Sequence, residues 1–99
     1  MDIRILDFIH DSYNHRKGWV DFEVTYNEDK FERFRNVGYF EKDNKSWLNM
    51  GACKRNDKWE QKFDRPGLND LLIEVRKVLK DYMQSHNTEP KGVDNDFLA

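Results

Sequence analysis

The stretch "DRPGLNDLLIEVRKVLKDYM" (64–83) decides the fold, because the hydrophobic period changes inside it. Asp64, Arg65, Pro66 and Gly67 form a break that a strand does not cross easily: proline lacks an N–H for the ladder and glycine weakens a strand interior. After the break, Leu68, Leu71, Leu72, Val75, Val78, Leu79, Tyr82 and Met83 recur at three- and four-residue intervals. Residues spaced in this way share one face of an α-helix. An amphipathic helix of about four turns is therefore predicted, with its apolar stripe packed on whatever precedes it.

What precedes it alternates with period 2. "WVDFEVTY" (19–26) puts Val20, Phe22, Val24 and Tyr26 on one face and Trp19, Asp21, Glu23 and Thr25 on the other. This is the pattern of a half-buried strand. "IRILDFI" (3–9) reads as an earlier strand, joined by the polar loop "HDSYNHRKG" (10–18). Beyond the turn "NEDK" (27–30), "FERFRNVGYF" (31–40) groups Phe31, Arg33, Arg35, Val37 and Tyr39 against Phe34 and Phe40, with Gly38 suggesting a bulge or a close approach. "WLNMGAC" (47–53) and "WEQKF" (59–63) complete the series, separated by the turns "EKDNKS" (41–46) and "KRNDK" (54–58). Consecutive strands with short turns make an antiparallel meander. The expected fold is α+β: a curved antiparallel β-meander of four to five strands covered on one face by a C-terminal helix. Residues 1–84 form the domain and residues 85–99 a flexible acidic tail. One helix covers one face, so the other is expected to present Trp19, Phe34, Phe40 and Trp47.

Composition sets the limits. Ninety-nine residues suffice for one core, and a 14% aromatic share argues against disorder. Cys53 stands alone, which excludes an intrachain disulfide and a cysteine-pair zinc site and suits a small buried hydrophobe. No run is apolar enough to span a membrane, and "MDIRILDFIHD" places acids where a signal peptide needs cations, so a cytoplasmic location is expected. No phosphate loop, dinucleotide fingerprint, HExxH or nucleophile elbow occurs. His10, His15 and His86 fall in a strand end, a loop and the tail. His10 and His15, five apart near Asp7 and Asp11, could bring metal ligands together, but surface histidines in loops are far commoner than metal sites. Neither catalysis, a cofactor nor a bound metal is expected.

Charge is distributed unevenly. The formal net charge is -2, yet residues 30–65 carry ten Lys/Arg against six Asp/Glu, while both ends of the chain are acidic. Phosphates need clustered cations, and single-stranded bases need flat side chains to stack on. The central segment supplies Lys54, Arg55, Lys58, Lys62, Arg65, Arg33 and Arg35, interleaved with Trp47 and Trp59. The bland alternative is a set of solvated turns, in which lysines guard sheet edges against aggregation. The tail "DNDFLA" (94–99) sets Asp94 and Asp96 before Phe97 and Leu98, similar to the partner-docking tips of bacterial single-stranded-DNA-binding proteins.

Residues 1–83 resemble the stage V sporulation protein G (SpoVG) family. The resemblance runs through "DIRILDFI" and "WVDFEVTYNEDKFERFRNVGYF" and is best at "WLNMGACKRNDKWEQKF" before "LNDLLIEVRKVLKDY". Met50, Lys54 and Arg55 fall near that family's Met-x-x-Lys-Arg, with one extra residue between Met50 and Lys54. The resemblance implies a homodimer that binds nucleic acid near the sheet–helix junction, at Lys54, Arg55, Lys58, Lys62 and Arg65. The three tryptophans and the acidic tail depart from the family. Positive-cofactor-4-type single-stranded-DNA binders are similar in their strand-then-helix order. The resulting expectation is a small, non-catalytic regulatory protein that binds DNA or RNA single strands, with a protein partner at the tail. The rival is a protein-interaction module or inhibitor that uses the acidic N-terminal third and the aromatic face.

Overall fold

The alternation in residues 19–26 is realised at the centre of the sheet, where Val20, Phe22 and Val24 are fully buried. The computed structural model describes residues 1–86. The tail residues Asp94, Asp96, Phe97 and Leu98 lie outside the described residues. The elements are β1 (Asp2–His10), β2 (Lys17–Asn27), β3 (Lys30–Lys42), β4 (Lys45–Asn49), β5 (Ala52–Arg55), β6 (Lys58–Gln61) and α1 (Leu68–His86). All pairings are antiparallel, in the order β1-β2-β3-β5-β6, and β4 pairs with the C-terminal end of β3. The α+β meander with one covering helix is thus the observed architecture. It has six strands, where four to five are expected, and α1 continues through His86, two residues into the stretch that reads as tail.

The tight turns of the β3–β4 and β5–β6 hairpins follow from their residues. Asp43 and Asn44 hold φ of 55° and 61°, and Asn56 and Asp57 hold 51° and 71°. Two successive left-handed residues make the hairpin turn whose twist matches that of the strands, and Asn and Asp tolerate this conformation best after Gly.

Two interruptions change which side chains are buried. In β3 the pairing steps from Val20↔Val37 to Phe22↔Phe34, so two residues of β3, Arg35 and Asn36, oppose Asp21 alone. Asn36 takes the left-handed turn (φ 59°), and its N–H donates to Asp21 Oδ1 at 2.9 Å. This β-bulge inverts the phase of the strand. Glu32 and Phe34 point to the core before it, Val37 and Tyr39 after it. Phe34 is therefore not on the uncovered face, as a continuous alternation has it, but fully buried and 5.2 Å from the Phe22 ring. The bulge belongs to Asn36 and not to Gly38. The second interruption is at Met50-Gly51, where the Gly51 N–H donates to Asn49 Oδ1 at 2.8 Å. It splits the expected strand 47–53 into β4 and β5, leaves Met50 buried, turns Ala52 outward and sends Cys53 into the core.

α1 buries Leu71, Val75, Leu79 and Met83 against this core, and each such side chain contributes on the order of 1.5–3 kcal/mol. Asp70 in its first turn suits the positive end of the helix dipole. No helix among the described residues is long and apolar enough to cross a membrane.

Candidate functional site

The face of the sheet away from α1 has two zones. One end is aromatic. Trp19 sits between Ile9 on β1 and Gly38 on β3, and Phe40 pairs with Lys17 on one side and Trp47 on the other. Trp19 is 45% exposed and Trp47 41%. The Phe40 and Trp47 rings lie 6.5 Å apart and within 20° of parallel. Gly38 leaves a hollow among them. A Cβ there would meet only Asn49, at 3.5 Å, an ordinary contact. The result is a shallow platform of flat rings with a slot in its floor and Lys17 at its margin.

The other zone is a lattice of opposite charges. Arg33 binds Glu23 at 3.1 Å, Arg4 reaches the same carboxylate at 3.5 Å, and Arg35 binds Asp21 at 3.3 Å. At its edge Lys54 pairs across the strands with both Arg35 and Trp59. The Lys54 ammonium stands 5.4 Å from the centre of the Trp59 ring, in cation–π range, and Trp59 is 62% exposed.

The expected phosphate ligands are therefore divided. Arg33, Arg35, Lys54 and Trp59 share the uncovered face, while Arg55 and Arg65 turn to the helix side. Lys58 opens β6 beyond the turn, Lys62 follows β6, and both are exposed. On the helix side Glu32 is only 8% exposed and binds Arg65 at 2.7 Å and Arg55 at 3.4 Å. The Tyr26 hydroxyl donates to Glu32 at 2.7 Å and accepts from Arg65 at 2.6 Å. Arg55 also holds Glu60 at 2.7 Å. Both guanidinium groups lie over the Phe63 ring. Burial alone would raise the Glu32 pKa, but the hydrogen bonds from Tyr26 and Arg65 and the arginine charges outweigh it and hold the carboxyl below its usual range. The Tyr26 hydroxyl is pushed up by burial and by the neighbouring Glu32. Burial and the Glu60 charge push the Cys53 thiol up. All four arginines of the central segment thus have carboxylate partners.

The same pairing alters the acidic N-terminal third. Asp21 and Glu23 neutralise arginines, while Asp7 and Asp11 accept backbone N–H bonds from Phe8, Tyr13 and Asn14. The His10 and His15 rings come within 6.3 Å, with His10 edge-on to Phe8 at 4.8 Å. No group of three or more metal-ligating side chains gathers among the described residues.

Reading the sequence segment by segment misses the cations that fold together from distant parts of the chain. Arg16, Lys42, Lys45, Arg76, Lys77 and Lys80 line one open groove of ≈ 990 Å³ between the β3–β4 hairpin and the second half of α1. On α1 the signal is present: Arg76, Lys77 and Lys80 flank the apolar stripe at helical spacing. No protein-family profile, curated protein or solved structure matches the chain.

Proposed function

We propose that this is a non-catalytic nucleic-acid-binding protein that receives single strands on the sheet face left uncovered by α1. The observation that carries the reading is the platform of Trp19, Phe40 and Trp47 around the open slot at Gly38. Unpaired bases present flat apolar faces, and stacking one on an aromatic side chain contributes about 1–3 kcal/mol. A duplex hides those faces, so the platform favours single strands. Trp59, under the Lys54 ammonium, supplies a second stacking position on the same face. Arg35 on β3 is the cross-strand neighbour of Lys54; it opposes Asp21, and Phe40 opposes Lys17 four residues away on β2, roughly 13 Å at strand rise. The resemblance to the SpoVG family points to the same class of ligand and adds a homodimer to the proposal.

The test is a titration of tryptophan fluorescence with single- and double-stranded oligonucleotides at two salt concentrations. Stacking on Trp19 and Trp47 should quench the emission with single strands and much less with duplex. Emission that stays constant with every oligonucleotide would sink the proposal.

A further inference from the structure

The four arginines of the central segment are held by carboxylates, so their charge is already met inside the protein. The groove under the β3–β4 hairpin is different. It gathers Arg16, Lys42, Lys45, Arg76, Lys77 and Lys80 against two carboxylates, Glu41 and Asp43. Of the six, only Lys77 makes an ion pair among the described residues, with Glu74 at 3.3 Å one helical turn away. Glu41 is itself engaged, accepting from the Tyr39 hydroxyl at 2.6 Å. Six cations against two carboxylates leave a local excess of positive charge, and in a chain of net charge -2 such a concentration favours an anionic occupant.

The groove adjoins the aromatic platform. Arg76 donates to the Ser46 carbonyl at 3.0 Å, and its guanidinium lies 5.6 Å from the centre of the Trp47 ring. Lys42 and Lys45 pair with each other at the hairpin tip, in the same alternation as Phe40 and Trp47. A chain of bases on the platform therefore reaches the groove by passing around the edge strand β4.

Building on the single-strand reading above, we infer that the groove between the β3–β4 hairpin and α1 holds the phosphate backbone of the strand whose bases stack on Trp19, Phe40 and Trp47. The phosphate ligands are Arg16, Lys42, Lys45, Arg76 and Lys80, and not the Lys54–Arg65 segment. The combination favours nucleic acid over an acidic protein, because a nucleic-acid strand joins a charged backbone to flat base faces, and the surface sets cations beside flat rings.

The experiment measures binding of a fluorescent twelve-nucleotide oligothymidylate to the full chain by anisotropy across a salt series. Three proteins are compared: the unsubstituted chain, K42A/K45A/K80A and K54A/K58A/K62A. Each single-strand phosphate neutralised adds ~0.7 to the slope of log affinity against log salt. The groove variant should lose about 2 from that slope and on the order of 100-fold in affinity at low salt. The K54A/K58A/K62A variant should keep the slope to within about 0.7. Lys42, Lys45 and Lys80 are all exposed, and K42R/K45R/K80R should restore the slope, which separates lost charge from lost folding. If the slope falls in K54A/K58A/K62A and not in the groove variant, the inference is overturned while the single-strand reading stands. If the unsubstituted chain binds no oligonucleotide, both fall. If it binds poly-L-glutamate as tightly as the oligonucleotide, the groove serves an acidic protein and the inference is overturned.

Discussion

Gly38→Val separates binding from folding. Gly38 has an ordinary extended backbone, and a Cβ at this position meets only Asn49 Cβ and the Asn49 carbonyl oxygen, both at 3.5 Å. The larger side chain thus enters the hollow beside Trp19 without touching the core. Glycine within an element is destabilising by roughly 0.5–1 kcal/mol relative to alanine, and a β-branched residue suits a pleated surface. The variant should therefore fold with equal or slightly greater stability, its thermal midpoint unchanged or raised by a few degrees, about 4–8 °C per kcal/mol for a domain of this size. On the proposed single-strand reading, binding should weaken, because the slot proposed to admit a base is filled. Loss of one stacked base removes about 1–3 kcal/mol, a factor of roughly 5 to 150 in affinity. The assay pairs a thermal melt by circular dichroism with an oligonucleotide titration. Unchanged affinity with an unchanged melt would refute the platform as the binding surface. A midpoint lowered by several degrees would refute the claim that the hollow is open.

Four further outcomes follow from the same geometry. Gly18→Ala should destabilise strongly, since an added Cβ there collides with the Ile9 backbone carbonyl, and a urea melt compares it directly with Gly38→Val. Glu32→Gln should cost about 2 kcal/mol at neutral pH, less than a fully buried pair would, because Arg55 and Arg65 stay 39% and 30% exposed. The Glu32 pKa is lowered on folding, so its contribution is complete above the usual value of 4.5 and is lost as pH falls below it; the stability gap between wild type and Glu32→Gln should close in that window. Cys53 is fully buried and its thiol is pushed up, so a thiol reagent should label it at the rate of unfolding and not at that of an exposed cysteine.

The architecture was legible because two periods dominate it. The strict alternation of residues 19–26 and the helical stripe from Leu68 to Met83 survive intact, and each is long enough to outweigh local exceptions. What was not legible is phase. A single left-handed residue, Asn36, moves Phe34 from the platform to the core and sets Arg33 and Arg35 opposite Glu23 and Asp21. Period counting sees no such step, because an inserted residue leaves each half of the strand alternating normally. Gly51 does the same between Met50 and Cys53. The aromatic surface was identifiable in three of its four residues for the same reason: Trp19 lies in the unbroken strand, and Phe40 and Trp47 keep the register they have on the far side of the bulge.

Charge was legible least, and the cause is topological. Counted along the chain, the first third is acidic and the middle basic, which places an anion site in the middle. The meander lays these segments side by side, so β2 carboxylates face β3 arginines and the two excesses cancel across one pair of strands. Glu32 and Glu60 do the same for Arg55 and Arg65 on the helix side. Antiparallel pairing of an acidic strand with a basic one is favourable, because opposed charges stabilise a sheet and like charges do not. Cations that make no ion pair among the described residues collect at two ends of the sheet. Lys54, Lys58 and Lys62 lie on the β5–β6 hairpin; Arg16 before β2, Lys42 and Lys45 at the tip of the β3–β4 hairpin, and Arg76 and Lys80 on α1 lie at the other end. The sheet that neutralises the central arginines thus leaves a larger cluster of cations at the hairpin end beside Trp47, six against two carboxylates. A ligand that needs both cations and flat rings finds several of each there and, at the β5–β6 hairpin, Lys54, Lys58 and Lys62 beside the single exposed ring of Trp59.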